Sequence, residues 1–398
     1  MSAALAPGTD TYDVVVAGGG PAGCAAALVL ARAGRTVLLA DAGTGPPKVG
    51  ETLVPAARVL LGDLGVADRV LDSGHLPCYG SLSAWGSADL HAVDFINDPH
   101  GHGWHLDRRL FDRRLRDASR AAGAEVAEGT AVRDTTRTPD GGWTLVLRGG
   151  TGPAGTRSGG ERTVRCRWVI DATGRAAAIA VRCGARRRVR DRLTALYVPL
   201  EADPLDTDRR SLVESDEDGW WYTAPQPSGG RLVAYFTDAD LPAASHTARH
   251  FRRRLTATRH VSRRAHRDGP APTSPAAPRR AAAHTAHLDT VYGDGWTAAG
   301  DAAVAFDPLS SQGVLTALYT GLGAGLAVDT HLGGAPYGAD SALAAYADKV
   351  AAARSAYLRG HRVIHAQEAR WTDRSFWARR LADLPDSSCR PQEGPSTS

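Results

Sequence analysis

The segment Asp13–Asp41, DVVVAGGGPAGCAAALVLARAGRTVLLAD, constrains the fold more than any other stretch. Gly18, Gly20 and Gly23 are spaced as G-x-G-x-x-G. The apolar run Tyr12–Ala17 precedes them, the alanine- and leucine-rich stretch Pro21–Ala33 follows, and a second apolar run, Arg35–Ala40, ends at Asp41. That order predicts strand, tight turn, helix and strand, with Gly34 stopping the helix. Gly18 permits the turn. Gly20 lets the backbone approach a pyrophosphate at the helix N-terminus, and Gly23 lets helix and strand pack closely. Ala22 lies in the same turn, and Asp41 is placed to accept hydrogen bonds from an adenosine ribose. The pattern recurs at Gly150, Gly152 and Gly155, but polar Thr156–Glu161 offers no helix behind it. It reads as a loop, so a second nucleotide site is not expected.

A second glycine motif, WTAAGDAAVAFDPLSSQG, spans Trp296–Gly313. Gly300 and Asp301 fall at a strand end, where the carboxylate can hold ribityl hydroxyls. Pro308 to Gly313 lead into a helix with Val314 in its first turn, so backbone N–H groups can face the flavin pyrimidine edge. The two motifs together imply bound FAD and redox chemistry. Asp171-Ala172-Thr173-Gly174, at the end of the predicted strand Thr163–Ile170, is a third element.

With 398 residues and 43% hydrophobic content, the chain can hold two or three domains or one composite one. Basic and acidic residues nearly balance, 47 against 43, which speaks against nucleic acid or membrane as partner. The N-terminus shows no signal peptide, and no uncharged apolar run is long enough to span a bilayer. Five dispersed cysteines without CxxC fit a reducing cytoplasm better than a disulfide framework or zinc site. The arginine run Arg249–Arg267 reads as a solvated helix face, or as a dock for an acidic partner.

Residues 107–122 are expected to form a helix, and 125–134 and 143–147 strands joined at Asp140-Gly141-Gly142. Runs at 193–202, 211–214, 220–223 and 231–237 read as antiparallel strands of a second sheet, and 248–266 as one basic helix. Later helices are expected at 313–330 and 337–365. The expected class is α/β: a glutathione-reductase-type FAD-binding fold with an inserted antiparallel sheet and a helical C-terminus. The expected division is a discontinuous FAD domain (1–75, 101–190, 285–335), a substrate domain (76–100, 191–284), a helical region (336–384) and a disordered tail (385–398).

The series GGGPAG, Lys48-Val49-Gly50-Glu51-Thr52, DATG and GDAAVAFDPLSSQG resembles the flavin-dependent tryptophan-halogenase superfamily of FAD monooxygenases. It is most similar to flavoproteins that oxidise tryptophan in peptides during quinone-cofactor formation. The resemblance runs from about Tyr12 to Arg380 and includes Gly101–Arg108. It implies that the Gly50-Glu51 loop straps over the flavin and that Arg108 approaches the cofactor. Val132 joins Glu51, Arg108, Pro308, Gly313 and Val314 as expected cofactor contacts.

The chain departs from halogenases in ways that matter chemically. Their W-x-W-x-I-P motif matches Trp220-Trp221-Tyr222-Thr223-Ala224-Pro225, with Tyr for the second Trp and Ala for Ile. Their hypohalous-acid lysine has no match in Tyr79–Trp85; the two lysines are Lys48, in the strap, and Lys349. Ser310 stands where tryptophan-type halogenases place Glu. The expected activity is therefore hydroxylation of an electron-rich aromatic through a flavin C4a-hydroperoxide. The substrate would be indole- or tryptophan-like, free or peptide-borne, with O2 as co-substrate and FADH2 from a separate flavin reductase. Halogenation, a flavin dehydrogenase or prenyl-chain reductase, and a non-catalytic flavin-binding role remain alternatives. Candidate catalytic residues are Lys48, Glu51, Ser310 and His105, the last as a proton relay or a structural histidine. Trp85, Trp220 and Tyr222 either line the substrate pocket or pack on the second sheet. On a strand Trp221 must face away from Trp220 and Tyr222.

Overall fold

The computed structural model describes residues 10–43, 52–149, 160–201, 207–265, 277–334 and 339–382. Lys48, Glu51, the glycine pattern at 150–155 and the tail from 385 lie outside the described residues. The first glycine motif forms strand Asp10–Ala17, helix Pro21–Arg32 and strand Val37–Asp41. Val14, Val15, Val16, Leu38 and Leu39 are fully buried. Unbroken apolar runs of this kind mark parallel strands covered on both faces. Strands Trp296–Ala298, Glu161–Asp171, Asp10–Ala17, Val37–Asp41 and Glu125–Glu128 lie side by side in that order, all parallel. The late glycine motif thus returns to the sheet of the first one. Its helix, Gly313–Leu332, packs along Pro21–Arg32.

Asp171 fastens this return. Its buried carboxylate accepts from Thr173 N (2.9 Å), Thr173 Oγ1 (2.7 Å), Ile179 N (2.8 Å) and Ala180 N (2.8 Å). Its carbonyl accepts from Ala299 N at 2.9 Å. Asp171→Ala leaves four donors without this acceptor in a dry site, so a loss of about 3 kcal/mol is expected in urea unfolding. A loss below about 1 kcal/mol would refute this role.

The second sheet has seven strands, ordered Arg279–Ala282, Leu193–Leu200, Arg231–Asp238, Gly219–Pro225, Ser211–Asp216, Gly80–Ala84 and His91–Asp94. Its pairings are antiparallel except that between Ser211–Asp216 and Gly80–Ala84. Strand alternation splits the aromatics. Trp220, Ala234 and Phe236 pack on one side, and Trp221, Tyr235 and Phe251 on the other. Within 76–100, Leu76–Cys78 joins a separate small sheet with Thr52–Leu53 and Gly103–His105.

The single helix expected over 248–266 is instead two, Ala248–Ala257 and Val261–Ala265. The cause is Glu214 on the neighbouring sheet. Its carboxylate accepts from the N–H groups of Arg259 (2.6 Å), His260 (2.9 Å) and Val261 (2.8 Å), ending one helix and starting the next. Helices Ala339–Ala366 and Ser375–Leu381 complete the described chain. Among the described residues no helix is long and apolar enough to cross a membrane.

Candidate active site

Between the two sheets lies a cavity of about 440 Å³, within the range of small-molecule sites. Its first wall is built from the glycine motifs: Gly20 to Ala22, Ala172, Gly174, Gly300, Asp301, Pro308, Gly313 and Val314, with Arg108 beside them. The opposite wall is the second sheet, which contributes Tyr197, Trp220, Tyr222 and Phe236 among small alanines.

The first wall fits FAD. Gly18 has φ of +114°, and a Cβ there would stand 2.1 Å from the Ala172 carbonyl oxygen. The fingerprint turn and the Asp171–Gly174 turn therefore touch backbone to backbone, and only glycine permits it. Helix Pro21–Arg32 begins at Gly20 without a side-chain cap, which leaves backbone donors for a pyrophosphate. Gly23 abuts the Gly18 carbonyl. Asp41 lies against Gly19, with Arg116 Nη1 3.2 Å from Oδ2. Arg108 is buried and held by Asp112 one helical turn on, at 3.0 Å. Arg175 donates to the carbonyls of His284 and Phe306, the latter at 3.0 Å, tying the late motif to the segment that follows strand Arg279–Ala282.

On the second wall Trp220 is 1% exposed and stacks on Phe236, centroids 3.9 Å apart and planes 12° apart. Its Nε1–H is buried without a hydrogen-bond partner. Tyr222 Oη is 2.8 Å from Thr52 Oγ1, and Thr52 Oγ1 is 3.1 Å from His105 Nδ1. His105 Nε2 is 2.7 Å from the Arg209 carbonyl oxygen.

Other expected site residues stand elsewhere. His105 is one hydrogen bond behind the wall, and burial pushes its imidazole down to about 4. Burial thus favours the neutral ring, and both of its nitrogens are engaged, by Thr52 and by the Arg209 carbonyl. Trp85 is not on the cavity: its Nε1 donates to the Ile364 carbonyl (2.8 Å), and its ring meets Trp377 and His365. Val132 pairs with Leu147 and packs on the core of the first sheet instead of lining the cavity. Ser310 Oγ is buried without a hydrogen-bond partner, between lining residues Pro308 and Ser311. Lys349 is exposed on the helix Ala339–Ala366, and no lysine lines the described cavity.

Sequence reasoning missed Asp307, which lines the cavity and receives His361 Nε2 on Oδ2 at 2.9 Å. Burial alone would raise the Asp307 carboxyl, but hydrogen bonds, first that from His361, hold it below its ordinary value. His361 and His365 are one turn apart on a long helix, a spacing that signals a shared face. Ligand atoms of Asp307, His361 and His365 lie within 4.8 Å of one another. Asp307 is already engaged, since Oδ1 also accepts from Leu309 N at 3.0 Å and caps the turn after it. The pair ties the C-terminal helix to the cavity floor.

This fold and cavity define an FAD-dependent oxidoreductase. The chain belongs to the FAD binding domain family, whose pattern matches residues 11–358, and within it to the halogenase-like FAD monooxygenases. It is 28% identical over 380 residues to the FAD-dependent oxidoreductase LodB of Marinomonas mediterranea, covering 94% of this chain and 98% of LodB. The flavin-dependent halogenase CmlS superposes with a TM-score of 0.77 at 25% identity, covering 94% of this chain and 68% of that one. The peptidyl tryptophan dihydroxylase QhpG, essential for tryptophylquinone cofactor biogenesis, superposes with a TM-score of 0.74 at 26% identity. That match covers 93% of this chain and 78% of QhpG.

Proposed function

We propose that the protein is a monooxygenase that hydroxylates an electron-rich aromatic, an indole or a tryptophan within a peptide. The observation that carries this is the make-up of the cavity: Trp220, Tyr222, Tyr197 and Phe236 face the flavin-binding wall. Bound FAD supplies the electron pair that activates dioxygen. The chain's own part is to orient the ring beside the aromatic side chains of the second sheet and to keep water out with its alanine-rich face. A further support is the similarity to QhpG, a tryptophan dihydroxylase by name. With no second nucleotide fingerprint in the sequence, a separate flavin reductase is the proposed electron source. The described cysteines are free, which supports a reducing, cytoplasmic setting.

The deciding experiment supplies FADH2, oxygen, bromide and a tryptophan-containing peptide together. Expected is a product heavier by one or two oxygen atoms, with an absorbance transient that is neither reduced nor oxidised flavin. Brominated product would establish halogenation instead. Flavin oxidation at the free-flavin rate without product would remove the oxygenase reading.

A further inference from the structure

The second sheet ends beside the cavity on a bare edge. Among the described residues, strand Arg279–Ala282 is the last on that side and pairs only with Leu193–Leu200. Just past it, Ala283 N donates to the Leu193 carbonyl at 3.1 Å. Hydrogen-bonded pairs of an antiparallel ladder recur at every second residue. Ala281 and Arg279 therefore turn their N–H and C=O groups into the sheet, toward Ala195 and Tyr197. Those of Arg280 and Ala282 point outward, and both residues are exposed. An edge of this kind is a template for a further strand.

Position sets this edge apart. Ala281, Ala282 and Ala283 all line the cavity, and Ala282 is exposed as well, so the strand forms the rim of the cavity mouth. Strand His91–Asp94, the opposite edge of the sheet, contributes no lining residue among those described. A strand added outside Ala282 would run about 4.8 Å away. Its residue opposite Ala281 would share the sheet face that carries Ala195 and Tyr197. The small alanines leave room for a large side chain to lie back across the rim into the cavity. Arg279 and Arg280 are exposed and form no ion pair among the described residues, which favours a carboxylate on the added strand. We infer that the edge Arg279–Ala282 binds an extended acidic peptide by strand addition and so presents its aromatic side chain to the cavity. This rests on the aromatic substrate proposed above, and selects a peptide-borne ring over a free one.

The test uses the full chain loaded with FAD, with binding read from the flavin absorbance. The probes are N-acetyltryptophanamide and a short blocked peptide with a central tryptophan flanked by glutamates. The peptide is expected to bind about tenfold more tightly than the amide. Methylating its backbone nitrogens one at a time should cost about tenfold at every second position and little between, because alternate N–H groups face the edge. Lysines in place of the glutamates should weaken binding, and equal binding would remove the acidic preference. Ala282→Pro deletes an outward donor that the fold does not use, so FAD content and thermal midpoint should hold while the preference for the peptide is lost. Ala92→Pro is the control on the opposite edge. Its N–H also points outward by the same alternation, since Phe95 N donates to the Tyr79 carbonyl, and the preference should survive. A peptide that binds no tighter than the amide, a methylation profile without alternation, or an unchanged preference in Ala282→Pro overturns the edge assignment and leaves the aromatic oxygenase reading in place. A dimer that Ala282→Pro dissolves, with the peptide preference unchanged, gives the edge to a second copy of the chain instead. If a peptide with alanine for tryptophan binds as tightly and with the same alternation, the edge stands and the aromatic pocket falls. If neither probe binds, both are overturned.

Discussion

Gly321→Ala is expected to empty the FAD site, although residue 321 lies far in sequence from the dinucleotide fingerprint. Gly321 is on the helix Gly313–Leu332, and a Cβ there would stand 2.2 Å from the Ala22 carbonyl oxygen and 2.8 Å from Ala22 Cα. These are backbone atoms in the first turn of the helix that receives the pyrophosphate, so no rotamer change relieves the clash. Either the two helices separate or the phosphate-binding turn moves. Overpacking of this kind costs about 3 kcal/mol, and movement of the turn removes backbone donors from the cofactor. FAD retained after gel filtration and the thermal midpoint should both fall. Gly360→Ala is the control. It lies within the helix Ala339–Ala366 with nothing within 4 Å of its added Cβ, and should stabilise by up to about 1 kcal/mol. Normal FAD content in Gly321→Ala would show that the helix contact is not what shapes the turn.

This example marks the boundary of what the sequence reveals. Gly18, Gly20 and Gly23 were legible because their spacing, the apolar strand and the helix that follows are all local. The same holds for the late motif, whose strand and turn announce themselves within Trp296–Gly313. The alternation of Trp220, Trp221 and Tyr222 correctly divides them between two faces, since a strand has a period of two. The role of Gly321 is not local: it depends on which helix lies alongside, and a glycine in an apolar helix looks the same whatever it faces. Residue type leaves Trp85 open between pocket and packing, and its indole is claimed by Ile364 and Trp377, far along the chain. The break at Thr258–His260 was invisible because the capping carboxylate, Glu214, comes from another strand. Asp307 and His361 find each other across 54 residues, and only the one-turn spacing of His361 and His365 hinted at a functional face.

The two buried histidines set the second large expectation, a steep loss of stability in mild acid. Burial, the largest cause for each, pushes His105 to about 4 and His365 to about 3 from an ordinary 6.5. His365 is fully buried with Nε2 unpartnered, and its neighbour His361 disfavours a second charge. The folded protein therefore keeps both rings neutral, while the unfolded chain protonates them below pH 6.5. Because the unfolded state binds more protons in that interval, stability rises with pH and is lost as pH falls through it. From about pH 7 to about pH 5 each ring should remove about 2 kcal/mol from the unfolding free energy. His75, His284 and His287, also shifted down by burial, act in the same direction. Urea titrations at the two pH values, with FAD in fixed excess so that its binding contribution is held constant, measure the loss. His365→Leu should flatten the acid dependence by about 2 kcal/mol over that interval, since a leucine has no proton to gain on unfolding. An unchanged slope in His365→Leu would mean that His365 takes up its proton in the folded state. The aromatic cage of Trp85 and Trp377 would then have to tolerate an imidazolium.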